Sequence, residues 1–342
     1  MILLDALRPY EDEVIEIYKQ LHQTPEFGWE EYETTKLIKQ KLTAWNIPYQ
    51  DQLALTGVVG TLYSGKPGRT ILLRADMDAL PILEKSGCPY SSKVPGKMHA
   101  CGHDSHVAML LGAAKYLSEH RESFAGTAKF VFQPAEETSE KRADELAALG
   151  LGTMGAEIMV KQGVADDTDI CFAIHSDPKM PRGTARLCWT KTMASNDMFA
   201  CRLMSPGGHG AMPHLTADPI TAMAKLVEAI QSIPAREISA LESCVVNIGA
   251  INTPGSRWNV IPSEIVAEGT VRTYSEDTRE RIFALIEERT QKIAELYHCG
   301  SEFHRKKYAI ATINDRTASQ YADCVCRAVL GDGRVDYADV PD

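Results

Sequence analysis

The hydrophobic positions in the first half of the chain follow two periodicities. Between residues 10 and 45 the apolar residues have helical spacing, interrupted at Pro25 and Gly28, which predicts two helices. A further helical pattern covers residues 105–120 and predicts a helix capped by Asp104 or Ser105. Short β-rich apolar runs, typical of buried strands in a mostly parallel sheet, occupy residues 57–63, 70–76, 127–133 and 169–175.

Three of these predicted strands run into polar residues. The strand over 70–76 leads to Asp76 and Asp78, the strand over 127–133 leads to Glu136 and Glu137, and the strand over 169–175 ends at His175. Ligands of open α/β sheets bind beyond the carboxyl ends of the strands. We therefore expect these side chains to converge on one site. Taken singly, the glutamates also fit a solvated acidic pair, and the histidine fits a hydrogen-bonded strand end.

The stretch MHACGHDSH, residues 98–106, concentrates candidate metal ligands. It contains three imidazoles, a thiol and a carboxylate, and neutral imidazole and thiolate suit zinc and similar divalent ions. Residues two apart in an extended loop point the same way, so Cys101 and His103 could hold one ion or bridge two. The alternative is a polar loop that binds no metal.

Composition narrows the class of protein. A length of 342 residues favours two domains, and 44% hydrophobic with 24% charged residues is typical of a globular chain. The net charge of -10 argues against nucleic acid or anionic membrane as a partner, and no apolar run approaches a membrane span. The nine cysteines are scattered, and the N-terminus lacks the basic start of a signal peptide, so we expect reduced thiols and a cytoplasmic location.

Six motifs together resemble those of a family of dinuclear metal-dependent amidohydrolases and metallopeptidases. The resemblance is to the branch of hippurate hydrolase and auxin-amino-acid conjugate hydrolase, in a family that also includes aminoacylase and carboxypeptidase G. The motifs occur in the family's order and span most of the chain. They are LHQTPEFGWEEYET (21–34), LRADMDALPI (73–82), MHACGHDSH (98–106), FQPAEE (132–137), GGHGAMPH (207–214) and NVIPSE (259–264).

The resemblance implies an α/β catalytic domain, with a mostly parallel sheet flanked by helices, and an inserted ferredoxin-like α+β lid or dimerisation domain. The pattern of residues 198–310 agrees with this, because it predicts strand, helix, strand, strand, helix and strand in the split βαβ order. The expected boundaries are 1–186 for the first catalytic part, 187–310 for the lid and 311–342 for the return to the catalytic domain. A homodimer formed through the lid is expected.

The resemblance also implies a ligand set for two divalent metal ions per subunit. Cys101 would bridge the ions, with His103, Glu137 and His175 as further ligands, and Glu136 would be the general acid and base. Zinc or manganese fits this set best, with cobalt and nickel as alternatives. Asp78 would orient a ligand, although an aspartate that caps a loop has the same sequence signature.

Four residues of the predicted lid complete the expected site. His209, in a glycine-rich turn, would stabilise the oxyanion, from the partner subunit if the family pattern holds. His214, Asn259 and Arg272 would contact the amino-acid half of the substrate, because a guanidinium can bind a carboxylate with two hydrogen bonds. The alternatives are a surface histidine at 209 and a solvated charge at 272.

The function implied is hydrolysis of small N-acyl or N-aroyl amino acids by a metal-activated water. A dipeptidase or carboxypeptidase of the same fold is one alternative. Relatives continue to a further histidine that is the fifth metal ligand, and these 342 residues contain no counterpart, so a catalytically impaired binding protein is another. Residues 138–157 form a longer link than in most relatives, which could cover the site or extend the surface.

Overall fold

A computed structural model describes residues 2–137, 154–255 and 257–337. Most of the long link predicted at 138–157 lies outside the described residues. The chain divides into two compact units, the first consisting of Met1–Arg186 with Gln320–Asp336 and the second centred on Leu187–Ser319. Among the helices of the described ranges, none is both long and apolar enough to cross a membrane.

The first unit contains a five-stranded sheet with helices packed against it. Its strands are β1 (Tyr49–Leu53), β2 (Gly57–Tyr63), β3 (Thr70–Asp76), β4 (Thr127–Gln133) and β5 (Ile170–Ala173). Its helices are α1 (Ile2–Leu7), α2 (Glu11–Gln23), α3 (Tyr32–Ala44), α4 (His103–Glu119) and α5 (Gly155–Lys161).

The sheet is mixed, with the order β1–β2–β4–β3–β5. Strand β3 is parallel to both β4 and β5, whereas the β1–β2 and β2–β4 pairs are antiparallel. The turn that joins β1 to β2 is tight, and Ala54 and Leu55 adopt positive φ angles of 45° and 70° there, so the two strands form a hairpin. The predicted α/β class is confirmed, and the parallel pairing is confined to the three strands that lead to the candidate site.

Helix α4 begins two residues earlier than the sequence pattern predicts. Its N-cap is Gly102, with φ 87°, and neither Asp104 nor Ser105 caps it. The Asp104 carboxylate instead accepts a hydrogen bond from the buried His22 ring, at 2.6 Å. A Cβ atom at position 102 would lie 2.3 Å from Ser176 Oγ, so both the backbone angle and the close approach require glycine.

The second unit is the ferredoxin-like α+β fold that the sequence pattern predicts. In chain order its main elements are β8 (Asn196–Met204), α6 (Pro219–Gln231), β10 (Cys244–Asn252), β12 (Glu264–Thr273), α8 (Glu276–Leu296) and β13 (Gly300–Ala309). The four strands are antiparallel and lie in the order β10–β12–β8–β13, and the two helices pack their apolar faces on the sheet.

The remaining elements are short, apart from the last helix. The strands are β6 (Ala185–Leu187), β7 (Lys191–Met193), β9 (Gly208–His209), β11 (Val260–Ile261), β14 (Thr312–Ile313) and β15 (Val335–Tyr337). The helices are α7 (Ile233–Arg236) and α9 (Arg316–Leu330).

Candidate metal centre

The carboxyl ends of β3, β4 and β5 and the start of α4 bring the candidate metal ligands of the first unit together. Single ligand atoms of Cys101, His103 and Glu137 all lie within 4.8 Å of one another. His175 joins this group because its Nε2 atom is 3.4 Å from Cys101 Sγ. The Glu136 carboxylate lies 4.0 Å from His103 Nε2. All five residues converge because parallel strands present their carboxyl ends at one edge of the sheet.

His103 is held in the orientation of a metal-binding imidazole. Its Nδ1 atom lies 3.2 Å from an oxygen of Asp78, and its side chain is fully buried. Its Nε2 atom is buried and has no hydrogen-bond partner among the residues that the structure describes. A carboxylate on one ring nitrogen, with the other nitrogen free, is the usual arrangement behind a metal-ligating histidine. The orphaned nitrogen therefore fits a metal ion.

The charged groups around His103 would also favour the binding of a metal cation. Burial alone would lower the pKa of His103, but the hydrogen bond with Asp78, the neighbouring Cys101 thiol and the charges of Asp76 and Asp78 raise it to about 11. Burial, followed by the charge of Glu137, raises the pKa of Glu136. Both shifts reflect an excess of negative charge in a partly desolvated site. A divalent ion would neutralise that excess.

His175 is positioned by a neighbouring histidine that the sequence analysis did not assign. His106 Nδ1 lies 2.6 Å from Asp76, and His106 Nε2 accepts a hydrogen bond of 2.8 Å from the backbone N–H of Ser176. Both ring nitrogens are therefore occupied, and the proton is on Nδ1. His175 in turn donates from Nδ1 to the Ser176 carbonyl, at 2.8 Å, so that its Nε2 atom is the one directed toward Cys101.

The loop that carries the two glutamates is held by two other carboxylates. The Glu137 N–H donates to Asp78 at 2.7 Å, and the Ala135 N–H donates to the fully buried Glu31 at 2.8 Å. Ala135 has a φ of 47°, a left-handed conformation that is uncommon for a residue with a side chain. The two hydrogen bonds on either side of Glu136 keep the loop in this conformation.

The predicted oxyanion and substrate residues belong to the second unit. Strand β9 pairs with β11, and this places His209 opposite Val260 and next to Asn259, whose carbonyl accepts from the Gly210 N–H at 2.9 Å. A Cβ atom at position 210 would lie 2.9 Å from that carbonyl oxygen, so this pairing requires the glycine. His214 is exposed in the turn that follows, and Arg272 lies on β12, half-buried.

Three structural residues of the site were missed by sequence reasoning. His106 could have been identified from the sequence, because it lies three residues after His103, and on a helix that spacing places both side chains on the same face. His22 and Glu31 had none beyond their place in the motif of residues 21–34, since each meets its partner across a long separation in sequence. The predicted Asp78 does contact a candidate ligand, at His103 Nδ1.

Thiol, imidazole and carboxylate groups at the open edge of an α/β sheet form the kind of centre found in metal-dependent hydrolases. Residues 72–337 match the profile of peptidase family M20/M25/M40. The chain belongs to this family.

The chain is similar to characterised members of the family. It is 40% identical to an N-acetyl-L-cysteine deacetylase of Bacillus subtilis over 82% of this chain and 65% of that enzyme. It is 35% identical to the hippurate hydrolase of Campylobacter jejuni over 98% of this chain and 84% of that enzyme. A dinuclear metal-binding M20 peptidase of Bacillus subtilis, YXEP, superposes with a TM-score of 0.78 at 31% identity, covering 98% of this chain and 83% of that structure.

Proposed function

We propose that the protein is a metal-dependent amidohydrolase that cleaves the amide bond of N-acyl or N-aroyl amino acids. The observation that carries the proposal is the centre in the first unit, where a thiol, a second imidazole and a carboxylate lie near His103, whose Nε2 atom has no hydrogen-bond partner among the described residues. Relatives named as a deacetylase of N-acetyl-L-cysteine and as a hippurate hydrolase support this substrate class. A peptidase that acts on dipeptides is not favoured by any feature of the centre.

The residues proposed to hold two divalent ions are Cys101, His103, Glu137 and His175. Bound there, such ions lower the pKa of a water molecule and polarise the amide carbonyl. Thiolate favours zinc, whereas carboxylate also suits manganese, so either metal fits the donor set. Asp78 fixes the His103 ring, and the Asp76–His106 pair fixes the His175 segment through the Ser176 N–H. These contacts determine which ring nitrogen each ligand presents.

Glu136 is the proposed general base and acid. It stands beside the ligand group with its side chain about one-third exposed, so it can reach both the centre and incoming substrate. It accepts the proton of the attacking water and returns it to the nitrogen of the departing amino acid. Its raised pKa favours this exchange, because the carboxylate of an unperturbed glutamate is a weaker base.

His209 is the proposed oxyanion-stabilising residue, and His214, Asn259 and Arg272 are the proposed contacts to the amino-acid half of the substrate. The His209 Nδ1 atom accepts a hydrogen bond of 3.1 Å from the Ala211 N–H, so the ring proton is on Nε2 and can be donated. A neutral imidazole that donates from Nε2 is suited to a developing oxyanion.

We also propose a homodimer that forms through the second unit and works in the cytoplasm. The outer strand β10 supports the dimer, because it exposes Val245 and Ile251 to solvent. The cytoplasmic location is supported by the nine cysteines, all of which are free thiols. Light scattering of the purified chain measures the oligomeric state.

The test compares Glu136→Gln with the parent protein on N-acetyl amino acids, hippurate and dipeptides. We expect Glu136→Gln to lose turnover by at least about 10²-fold while its metal content, measured by mass spectrometry, stays unchanged. The matched control is Glu122→Gln, an exposed glutamate of a short surface helix, which should retain full turnover. Retained turnover in Glu136→Gln, or a preference for dipeptides, would contradict the proposal.

A further inference from the structure

A second group of metal-ligating side chains lies in the first unit and shares no residue with the proposed catalytic centre. It consists of His22 from α2 and of Glu84 and Cys88 from the loop between β3 and α4. The His22 and Glu84 side chains are 8% and 4% exposed, so two of the three donors are largely removed from solvent, and Cys88 is half-buried. Neither the proposed mechanism nor the proposed substrate contacts use these residues.

The separations of the donor atoms match those around a small tetrahedral ion. His22 Nε2 lies 3.3 Å from Glu84 Oε1, and Cys88 Sγ lies 3.9 Å from the same oxygen. All three ligand atoms fall within 4.8 Å of one another. Zinc bonds of about 2.0 Å to nitrogen or oxygen and about 2.3 Å to sulfur place neighbouring donors about 3.3 to 3.7 Å apart. The His22–Glu84 separation has this value, and Cys88 Sγ would have to move closer to the Glu84 oxygen by a few tenths of an ångström.

The His22 ring has the partner that commonly accompanies a metal-binding histidine. Asp104 Oδ2 lies 2.6 Å from His22 Nδ1 on the side away from Glu84 and Cys88. A carboxylate at this position holds the proton on Nδ1 and fixes the ring, and a metal ion would take the place of the Nε2 proton that Glu84 now accepts. The Nε2 atom is the one that faces the other two donors. This is the arrangement that Asp78 and His103 show in the proposed catalytic centre.

The other two donors are also prepared for a cation. Cys88 is held by two serines, because its N–H donates to the Ser86 hydroxyl at 3.3 Å and its Sγ atom lies 3.3 Å from the Ser91 hydroxyl. The Ser92 N–H donates to Glu84 Oε2 at 2.6 Å, which holds that carboxylate with its other oxygen toward His22 and Cys88. Thiolate, imidazole and carboxylate together are the donors of a borderline divalent ion such as zinc.

We propose that His22, Glu84 and Cys88 bind a divalent, thiol-preferring metal ion at a structural site that is additional to the catalytic centre. The ion would tie the loop of Glu84 and Cys88 to helix α2. Through Asp104 it would also brace the first turn of α4, which begins at His103. The inference does not depend on the proposed catalytic activity.

Cobalt titration of the 342-residue Cys101→Ser chain tests the site. This background removes the thiolate of the catalytic centre, so a thiolate-to-cobalt charge-transfer band must come from another cysteine. We expect a band that saturates at one ion per chain. The band should disappear in Cys101→Ser/Cys88→Ser and persist in the matched control Cys101→Ser/Cys324→Ser, which removes an exposed thiol of α9.

Two further measurements keep the test independent of folding defects in the variants. In Cys101→Ser itself, zinc should protect Cys88 from alkylation, read by peptide mass spectrometry, while Cys324 continues to react. Adding Asp104→Asn should weaken cobalt binding by about 10- to 100-fold, because it removes the carboxylate behind the His22 ring. Absence of the band in Cys101→Ser, a band that survives Cys88→Ser, or unprotected Cys88 would each overturn the proposal.

Discussion

Two groups of buried charges, one in each unit, are built in opposite ways. In the second unit, Arg279 binds Asp197 through two hydrogen bonds of 2.7 and 2.6 Å, and both side chains are at most 2% exposed. In the first unit, the candidate metal centre gathers several acidic groups around His103, whose Nε2 atom has no hydrogen-bond partner in the described part of the chain. The first group makes its hydrogen bonds within the protein, whereas the second leaves a buried ring nitrogen without one in the described ranges.

The difference separates a structural role from a functional one. A buried ion pair with every hydrogen bond made stabilises one arrangement of the chain and offers nothing to a ligand. A buried cluster with surplus negative charge and an orphaned nitrogen is destabilised until something positive binds. The balance of charges and hydrogen bonds within the protein is therefore a better guide to a metal centre than the number of buried charges.

Glu137→Gln should produce the largest effect, and it should fall on activity. Removing this ligand is expected to reduce kcat/KM by at least about 10²-fold, with loss of bound metal, because even contacts behind a ligand contribute 10- to 100-fold. The free energy of unfolding of the chelator-treated protein should not fall, because the change removes one negative charge from a surplus. Urea titration of the metal-free parent and variant measures this, and a clear loss of stability would contradict the comparison.

Arg279→Met should have the opposite result, with a large loss of stability. Asp197 would remain buried without a partner, and breaking such a pair costs about 3 to 5 kcal/mol in the free energy of unfolding. The double variant Asp197→Leu/Arg279→Met should recover most of this, because no buried charge remains. Urea unfolding monitored by circular dichroism gives the values. Equal free energies of unfolding of the single and double variants would show that the unpaired Asp197 carboxylate is not what destabilises the single variant.

Glu31→Gln should change how stability depends on pH. Burial, partly opposed by the hydrogen bond from Thr56, raises the pKa of Glu31 to about 8 from the ordinary 4.5. The folded state therefore holds this proton more tightly than the unfolded chain. The resulting stability is complete below about pH 4.5 and is lost as the pH rises through about 8.

Glutamine at position 31 does not titrate. Between about pH 5 and 8 the parent should therefore lose on the order of 1.4 kcal/mol of unfolding free energy per pH unit relative to the variant. Urea titrations of both proteins across this range measure the difference. Parallel stability curves would mean that Glu31 is already ionised in the folded protein.

Lys225→Ala should have the smallest effect. Lys225 pairs with Glu228 at 3.1 Å on the exposed face of α6, and both side chains are more than half exposed. Such pairs are screened by water and salt, so thermal unfolding of the variant should coincide with that of the parent. A measurable shift of the unfolding midpoint would show that this exposed ion pair also contributes to stability.

Elements with strong periodicity were predictable from the sequence. The six strands and helices of the second unit follow from hydrophobic spacing, because each packs apolar residues into or against the core of that unit. The beginning of α4 was not predictable in this way. Asp104 has the residue type and the sequence position of an N-cap, but its carboxylate accepts a hydrogen bond from His22, 82 residues away in the chain. A local capping preference thus yields to a buried long-range hydrogen bond.

The candidate ligands Cys101, His103, Glu137 and His175 could be named from residue type, from their positions after strands and from the family motifs. The sequence by itself thus determined the α/β and ferredoxin-like elements and the donors available to a metal, because these depend on local spacing and side-chain chemistry.

Only the tertiary structure decided which ring nitrogen each histidine presents. It also decided that β4 lies between β2 and β3, that Glu31 holds the loop of the acidic pair, and that Cys88 faces His22. Strand order and hydrogen-bond partners depend on contacts between segments far apart in the chain. Their free energies are set by burial and mutual geometry, and neither is encoded in any single stretch of sequence.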